Sequence, residues 1–199
     1  MTTPTTHDTS SNTITQILDV AQQLIQAFGY NAFSYADIAA VVGIKKASIH
    51  YYFPSKSDLC CEVIRRHRHF FRTQLAQIDQ QTSEPRQKIA QYMELYATIQ
   101  LVPELICLGG MLSSAVQNLP AKVNQEVQGF FADNEAWLTD VITQGVQNGT
   151  FRAVESAQLE AQLLVAGVQG ALLLARTLGE REHFRLLAQR LLDGLLQGA

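Results

Sequence analysis

Cysteine, proline and charge are scarce in this chain. Of its 199 residues only three are cysteine and five are proline, and 17% are Asp, Glu, Lys or Arg. Three cysteines, two of them adjacent at Cys60 and Cys61, give neither a disulfide framework nor zinc spacing, which points to a reducing compartment. Long apolar runs are absent too. The longest uncharged stretches, residues 105–121 and 161–175, are too short or too polar to cross a bilayer, and the Thr/Ser-rich opening has neither the basic start nor the apolar run of a signal peptide. A cytoplasmic protein is therefore expected. No strand-like alternation, G-x-G-x-x-G, P-loop or Ser/His/Asp constellation occurs, so the sequence nominates no catalytic residue, no cofactor and no enzyme. His67 and His69, two residues apart on a helix, point in different directions without a carboxylate to complete a site, so no metal is expected. Charge of one sign is lacking as well. Through Asp79, Lys45, Lys46, Lys56, Arg65, Arg66, Arg68 and Arg72 outnumber six acidic residues by one, and the remainder is net acidic. There is no broad basic field, and non-specific attraction to nucleic acid should be weak.

What is present is helix punctuation, densest between residues 34 and 58. Ser34 with Asp37 three residues on marks a helix start, the hydroxyl capping a free N–H and the carboxylate suiting the positive helix end. Ile38, Ala39, Val41 and Val42 supply an apolar face until Gly43 allows a sharp turn. A second helix from Lys46 to Phe53 would bury Ile49 and Phe53, four residues apart, and leave Lys46, Ala47, Ser48, His50, Tyr51 and Tyr52 around the rest of its surface. Pro54 stops it. Ser55 with Asp58 repeats the cap, and Lys56 falls in the next first turn, where it opposes the helix dipole unless a phosphate approaches. Two short helices about a glycine turn are a DNA-reading device.

Three segments also carry a family resemblance: A-x-x-L-I-x-x-F-G-Y at residues 21–30, D-I-A-x-x-x-G-I at 37–44, and S-I-H-Y-Y-F-P-S-K-S-D-L at 48–59. The first third of the chain resembles the DNA-binding domain of the TetR family of bacterial transcriptional repressors. The remainder agrees in length and helical pattern. The resemblance implies an all-α fold, an N-terminal three-helix helix-turn-helix domain followed by a C-terminal helical bundle for ligand binding and dimerisation. It places Lys46, Ala47, Ser48, His50 and Tyr51 against the major groove, with Ser34, Tyr52 and Lys56 near phosphates. Lys45 stands where the family usually has a capping Ser or Thr. The lost cap weakens the helix start by about 1 kcal/mol, and Lys45 would add a phosphate contact instead. His50 stands where the family often has tyrosine.

Taken in order, residues 1–12 read as a polar, disordered tail, 13–56 as the helix-turn-helix domain, 57–82 as a linker helix and 83–199 as the bundle. Thr13 and Gln16 form a capping box, followed at helical spacing by Ile14, Ile17, Leu18, Ala21, Leu24, Ile25 and Phe28. The linker would place Leu59, Val63, Phe70 and Leu75 inside and Arg65, Arg66, Arg68 and Arg72 mostly outside. Bundle helices are read near 85–101, 103–117, 120–147, 156–178 and 180–197, three opened by proline and two closed by Gly149 and Gly179.

The bundle offers two surfaces. Tyr96, Gln100, Cys107, Met111, Ser114, Phe131, Asn134 and Trp137 mix apolar bulk with polar groups on inward faces, which suits a small organic effector. Each would serve equally in an ordinary core, and Cys107, in C-L-G-G-M-L like part of the family, is either a reactive sensor or a buried hydrophobe. In the last two helices Gly167, Gly170 and Ala171, with Leu174, Leu178, Leu187 and Leu191, would pack a second copy into a four-helix bundle. The reading is a homodimeric, effector-responsive transcriptional regulator, a repressor released from a palindromic double-stranded DNA operator. An activator on the same fold, or a small-molecule-binding or redox-sensing helical protein with a vestigial motif, remain the alternatives.

Overall fold

The computed structural model describes residues 6–99 and 105–196. Among them the regular structure is helical, apart from an isolated antiparallel bridge between Phe151 and Leu196. The first helix, α1 (Thr6–Phe28), buries Ile17, Leu18, Ala21 and Ile25. It starts at Thr6, not at the Thr13 box, so the polar segment read as a disordered tail is helical from residue 6; residues 1–5 lie outside the described part. Extending a helix already held by a packed stripe costs far less than nucleating one. Phe28 is exposed, not inside, and Tyr30 takes the inward place in the 3₁₀ turn that follows.

Helices α2 (Tyr35–Val42) and α3 (Lys46–Tyr52) come next. Ser34 and Asp37 form the reciprocal box: the Ser34 N–H donates to Asp37 Oδ2 at 2.7 Å, and the Ala36 N–H donates to Ser34 Oγ at 3.2 Å. Gly43 ends α2 at φ 75°, a left-handed conformation that side chains resist, and its N–H and that of Ile44 both reach the Ala39 carbonyl. Val41 is exposed, since it lies about a quarter turn from the buried Tyr35 and Ile38 side of this short helix. The Tyr35 hydroxyl donates to the Phe53 carbonyl at 2.9 Å, tying the end of α3 to the start of α2, and burial pushes its phenol up to about 12.

The spine of the molecule is α4 (Lys56–Gln81), capped by the Ser55 and Asp58 box. Its buried stripe runs Cys60, Ile64, His67, Phe71, Leu75 and Ile78. Phe70 is 53% exposed and Phe71 is the core aromatic, a displacement of one residue and about 100° around the helix. His67 likewise lies inside, in the same stripe as Phe71.

The bundle comprises α5 (Pro85–Ile99), α6 (Leu108–Ser113), α7 (Ala121–Gln147), α8 (Ala157–Leu178) and α9 (Arg181–Asp193). The described part of the segment 103–117, read as one helix, is residues 105–117, which hold the six-residue α6 and part of a 3₁₀ turn (Val116–Asn118). Two adjacent glycines inside α6, each about 1 kcal/mol worse than alanine in a helix, weaken it. Helix α7 packs along α4 and α8, and α9 closes onto α8 and α5. Charge reinforces the α4–α7 seam. Arg65 and Arg68 reach Glu126 at 2.7 and 2.8 Å, Arg68 also meets Asp133 at 3.0 Å, and Lys122 pairs with Asp58. Burial raises the Glu126 carboxyl, but the bonds from Arg65 and Arg68 outweigh it and hold it below the usual range.

Candidate functional site

Two side chains seat the second helix of the turn motif. Ile49 is fully buried and Phe53 nearly so, so α3 is pinned along one edge and its other faces are free. Those faces carry Lys46, Ala47, His50 and Tyr51, all exposed, with Ser48 and Tyr52 half-buried beside them. Lys45 is exposed at the N-cap position and makes no side-chain capping bond. Tyr51 is 82% exposed with its ring edge-on to Tyr52 at 5.2 Å. The His50 ring leans on Tyr35 at 4.7 Å, and its Nδ1 lies 3.4 Å from the Pro54 carbonyl, so its direction is set by the scaffold. This surface offers two ammonium groups, an imidazole and a phenol, with no carboxylate between Gly43 and Asp58.

Ser34 and Lys56 are occupied otherwise. The Ser34 hydroxyl donates to Asp37 at 2.8 Å and accepts from Ala36, and this side-chain bond holds the Asp37 carboxyl below its usual range. Lys56 turns inward. Its ammonium donates to the Phe33 carbonyl and lies 4.0 Å from the centre of the Phe33 ring and 5.0 Å from that of Tyr30; burial pulls it below the ordinary lysine range. A carbonyl and two ring faces resolve its conflict with the helix dipole, so the phosphate expected beside Lys56 is not needed to explain its position.

Of the residues nominated as effector contacts, those among the described residues do not gather around one open space. Tyr96 and Asn134 are buried and satisfy one another: Tyr92 donates to the Tyr96 oxygen at 3.4 Å, Tyr96 to Asn134 Oδ1 at 3.3 Å, and Asn134 Nδ2 to the Phe130 carbonyl at 2.7 Å. Phe71 and Phe130 pack around them, and burial raises both phenols. Trp137 stacks on Tyr92 at 5.8 Å and donates to Asp79 at 2.9 Å. Met111 and Phe131 are half-buried. Ser114 is exposed past the end of α6, its hydroxyl spent on the Met111 carbonyl, so it does not face inward as expected. Gln100 lies outside the described residues. Cys107 is fully buried, and burial raises its thiol more than bonds from Gly110, Gln169 and Gly109 lower it, which disfavours a reactive thiolate.

Clefts open elsewhere: one of about 550 Å³ lies between α8 and α9, beside Gly167 and Leu191, and one of about 370 Å³ lies between α1, α4 and α5, walled by Gln26, His67, Phe70, Phe71, Leu95 and Thr98. None of these was read from sequence as an effector contact. The signal was a polar residue inside an apolar stripe: Gln26 beside Ile25 on α1, and His67 between Ile64 and Phe71 on α4. Burial pulls the His67 imidazole down to about 4. Among the described residues no three His, Cys, Asp or Glu side chains gather to hold a metal ion.

A second surface runs along α8, where Leu159, Leu163, Leu173, Leu174 and Leu178 are each more than half exposed. Gly170 lies among them with nothing within 4 Å of where a Cβ would stand. Leu187 and Leu191 of α9 are half-buried. Ala171 faces its own protomer's core, one residue and about 100° from Gly170, and a Cβ on Gly167 would stand 2.7 Å from Leu191 of the same chain. Both therefore serve intramolecular packing more than an outer face, whereas Leu159 and Leu173 extend that face beyond the residues expected. By length and composition alone α8 could cross a membrane, contrary to the sequence reading. Its inner side is nevertheless core, with Leu164, Val168 and Leu172 buried.

Residues 17–63 match bacterial regulatory proteins of the tetR family, and residues 87–191 match the tetracyclin repressor-like C-terminal domain. A crystal structure of a TetR family transcriptional regulator from Agrobacterium tumefaciens is 34% identical with a TM-score of 0.90, covering 94% of this chain and 99% of its own. A TetR transcriptional regulator from Legionella pneumophila is 32% identical with a TM-score of 0.83, over 98% of this chain and 100% of its own. The HTH-type transcriptional repressor KstR2 of Rhodococcus jostii is 26% identical over 179 residues, 82% of this chain and 81% of the repressor.

Proposed function

The chain belongs to the tetR family of bacterial regulatory proteins and is a DNA-binding transcriptional regulator; from that premise we propose a cytoplasmic homodimeric repressor, released from a palindromic operator by a small molecule. The observation that carries the DNA half of the reading is α3 itself, held by Ile49 and Phe53 and open to solvent through Lys46, Ala47, His50 and Tyr51. Residues 13–56 read the DNA, with Lys45 adding a phosphate contact. The leucine face of α8, with Leu187 and Leu191 beside it, buries against a second copy, which sets two recognition helices about one DNA turn, roughly 34–36 Å, apart. Residues 57–82 link this unit to the effector and dimer bundle, 83–199. Because α4 packs on both α1 and α7, an occupant beside it alters the separation of the recognition helices. A coupling of about 1–3 kcal/mol between effector and operator is ordinary for such switches.

The test is fluorescence anisotropy against the DNA flanking the gene, at two salt concentrations, for wild type and a Lys46→Ala/Tyr51→Ala double variant. With Lys45 and Lys46 as the main cations on each protomer, the dimer should show a log–log salt slope of about −3 to −4. Nanomolar binding that the variant loses supports the reading. Equal and weak binding by both proteins favours a helical effector-binding protein with a vestigial motif.

A further inference from the structure

The interior of the bundle leaves little for an effector to do. Tyr92, Tyr96 and Asn134 are paired with one another and the aromatic rings are in mutual contact, which leaves Gln169 Nε2 of α8 as the one orphaned polar atom there among the described residues. The groove beside α4 is different. The 370 Å³ cleft adjoins a second one of about 220 Å³ walled by Gln74, Gln77, Gln81 and Gln91, and the two share Leu95 and Thr98. Among the described residues, two of the three buried side-chain atoms without a hydrogen-bond partner belong to its walls: His67 Nε2 in the first compartment and Gln91 Oε1 in the second. Orphaned polar atoms of this kind are rare in folded proteins, because each has given up water for nothing. Both atoms are closed off from solvent beneath the groove wall, so a guest hydrogen-bonds to either one once its side chain turns outward.

The charges along the groove are already compensated. Arg66 is paired with Asp19 at 2.8 Å, and Glu94 with Arg185 at 2.9 Å. Among the described residues an ionic guest would meet no free counter-charge there. Phe70, Phe71 and Leu95 supply apolar wall between the two polar points. We propose that the effector is an elongated, uncharged molecule with an apolar body, lying in this groove between His67 and Gln91 and donating an O–H or N–H to the Gln91 carbonyl. The assignment rests on the regulator reading above and deepens it: α1 forms one wall of the first compartment, so an occupant touches the DNA-reading unit and the bundle at once.

The probes are 4-hydroxybiphenyl, biphenyl and biphenyl-4-carboxylate, titrated calorimetrically into the full-length protein at neutral pH. The expected order is 4-hydroxybiphenyl tightest, with biphenyl and the carboxylate each at least tenfold weaker. Thr98→Trp, at an exposed position on the shared wall, should cut 4-hydroxybiphenyl affinity tenfold or more with its melting temperature unchanged. Gln91→Leu should erase most of the advantage of 4-hydroxybiphenyl over biphenyl, while Tyr96→Phe in the bundle interior should stay within twofold of wild type. The proposal is overturned if 4-hydroxybiphenyl fails to bind, if the carboxylate binds as tightly, or if Tyr96→Phe removes binding that Thr98→Trp keeps. Failure of the regulator reading shows separately, in the probe-free operator assay with Lys46→Ala/Tyr51→Ala.

Discussion

Acidification should expose His67. Its imidazole is 6% exposed, in ring contact with Phe71 at 4.8 Å and Phe130 at 5.2 Å, and burial, followed by the nearby Arg66 charge, pulls it down to about 4 from 6.5. Above pH 6.5 the ring is neutral folded and unfolded, and contributes no slope. Between 6.5 and about 4 the unfolded chain takes up a proton that the folded chain refuses, so stability falls as pH falls through that window. Below about 4 both states are protonated and the slope ends. At about 1.4 kcal/mol per pH unit across that window, the loss is about 3 kcal/mol. For a chain of this size that is a fall of about 6–12 °C in melting temperature. The assay is thermal unfolding of wild type and His67→Gln at pH 7.5, 6.5, 5.5 and 4.5, at fixed ionic strength and protein concentration. Carboxylates held below their usual range, such as Asp37 and Asp58, also lose stability in acid, but equally in both proteins, so the difference between the curves isolates His67. Wild type should lose the extra increment as pH drops. Parallel curves from 7.5 to 4.5 would refute a buried, proton-refusing imidazole, whatever the absolute stability of the variant.

Other outcomes are as specific. Gly170→Arg should leave the protomer as stable or up to about 1 kcal/mol more stable, since arginine is the better helix former, yet sedimentation should show a monomer because the charge enters the α8 leucine face. A dimer of unchanged affinity would remove α8 from the interface. Lys45→Ser should restore a helix cap worth about 0.5–1 kcal/mol in urea melts while weakening operator binding and flattening its salt slope by about 2 per dimer. Unchanged salt dependence would place Lys45 off the phosphates. Arg68→Ala strands Asp133 and leaves Glu126 with Arg65 alone at the α4–α7 seam, and should cost about 1 kcal/mol, discounted for partial exposure, with Arg68→Lys recovering part of it in the same melts.

The helix-turn-helix half was legible because its signals are local. Ser34 with Asp37, Gly43, and Ser55 with Asp58 each act within a few residues, and the structure forms each as an N-cap or left-handed turn. Ile49 and Phe53 could be assigned inward because a short helix between a glycine and a proline leaves one seam for its core. The longer helices were less determinate. On α4 the apolar residues are numerous enough that the stripe could pass through Phe70 or Phe71, and only packing on α1 and α7 selects Phe71 and draws His67 in with it. On α8, leucines occur around the whole helix, so composition suggested an interface without saying which residues face it.

The family showed in the sequence only as a resemblance of three segments; what the sequence by itself determined was the helix boundaries around the turn motif and the set of side chains on the outer face of α3, because capping, turn chemistry and i, i+4 spacing operate over one or two helical turns. Tertiary structure alone decided that Lys56 folds inward onto Phe33 and Tyr30, that Tyr96 and Asn134 satisfy one another in a closed network, and that open space runs along α4 past His67 and Gln91. Those outcomes depend on contacts between residues tens of positions apart, where a polar side chain either finds a partner or is left without one, and no local pattern along the chain records which.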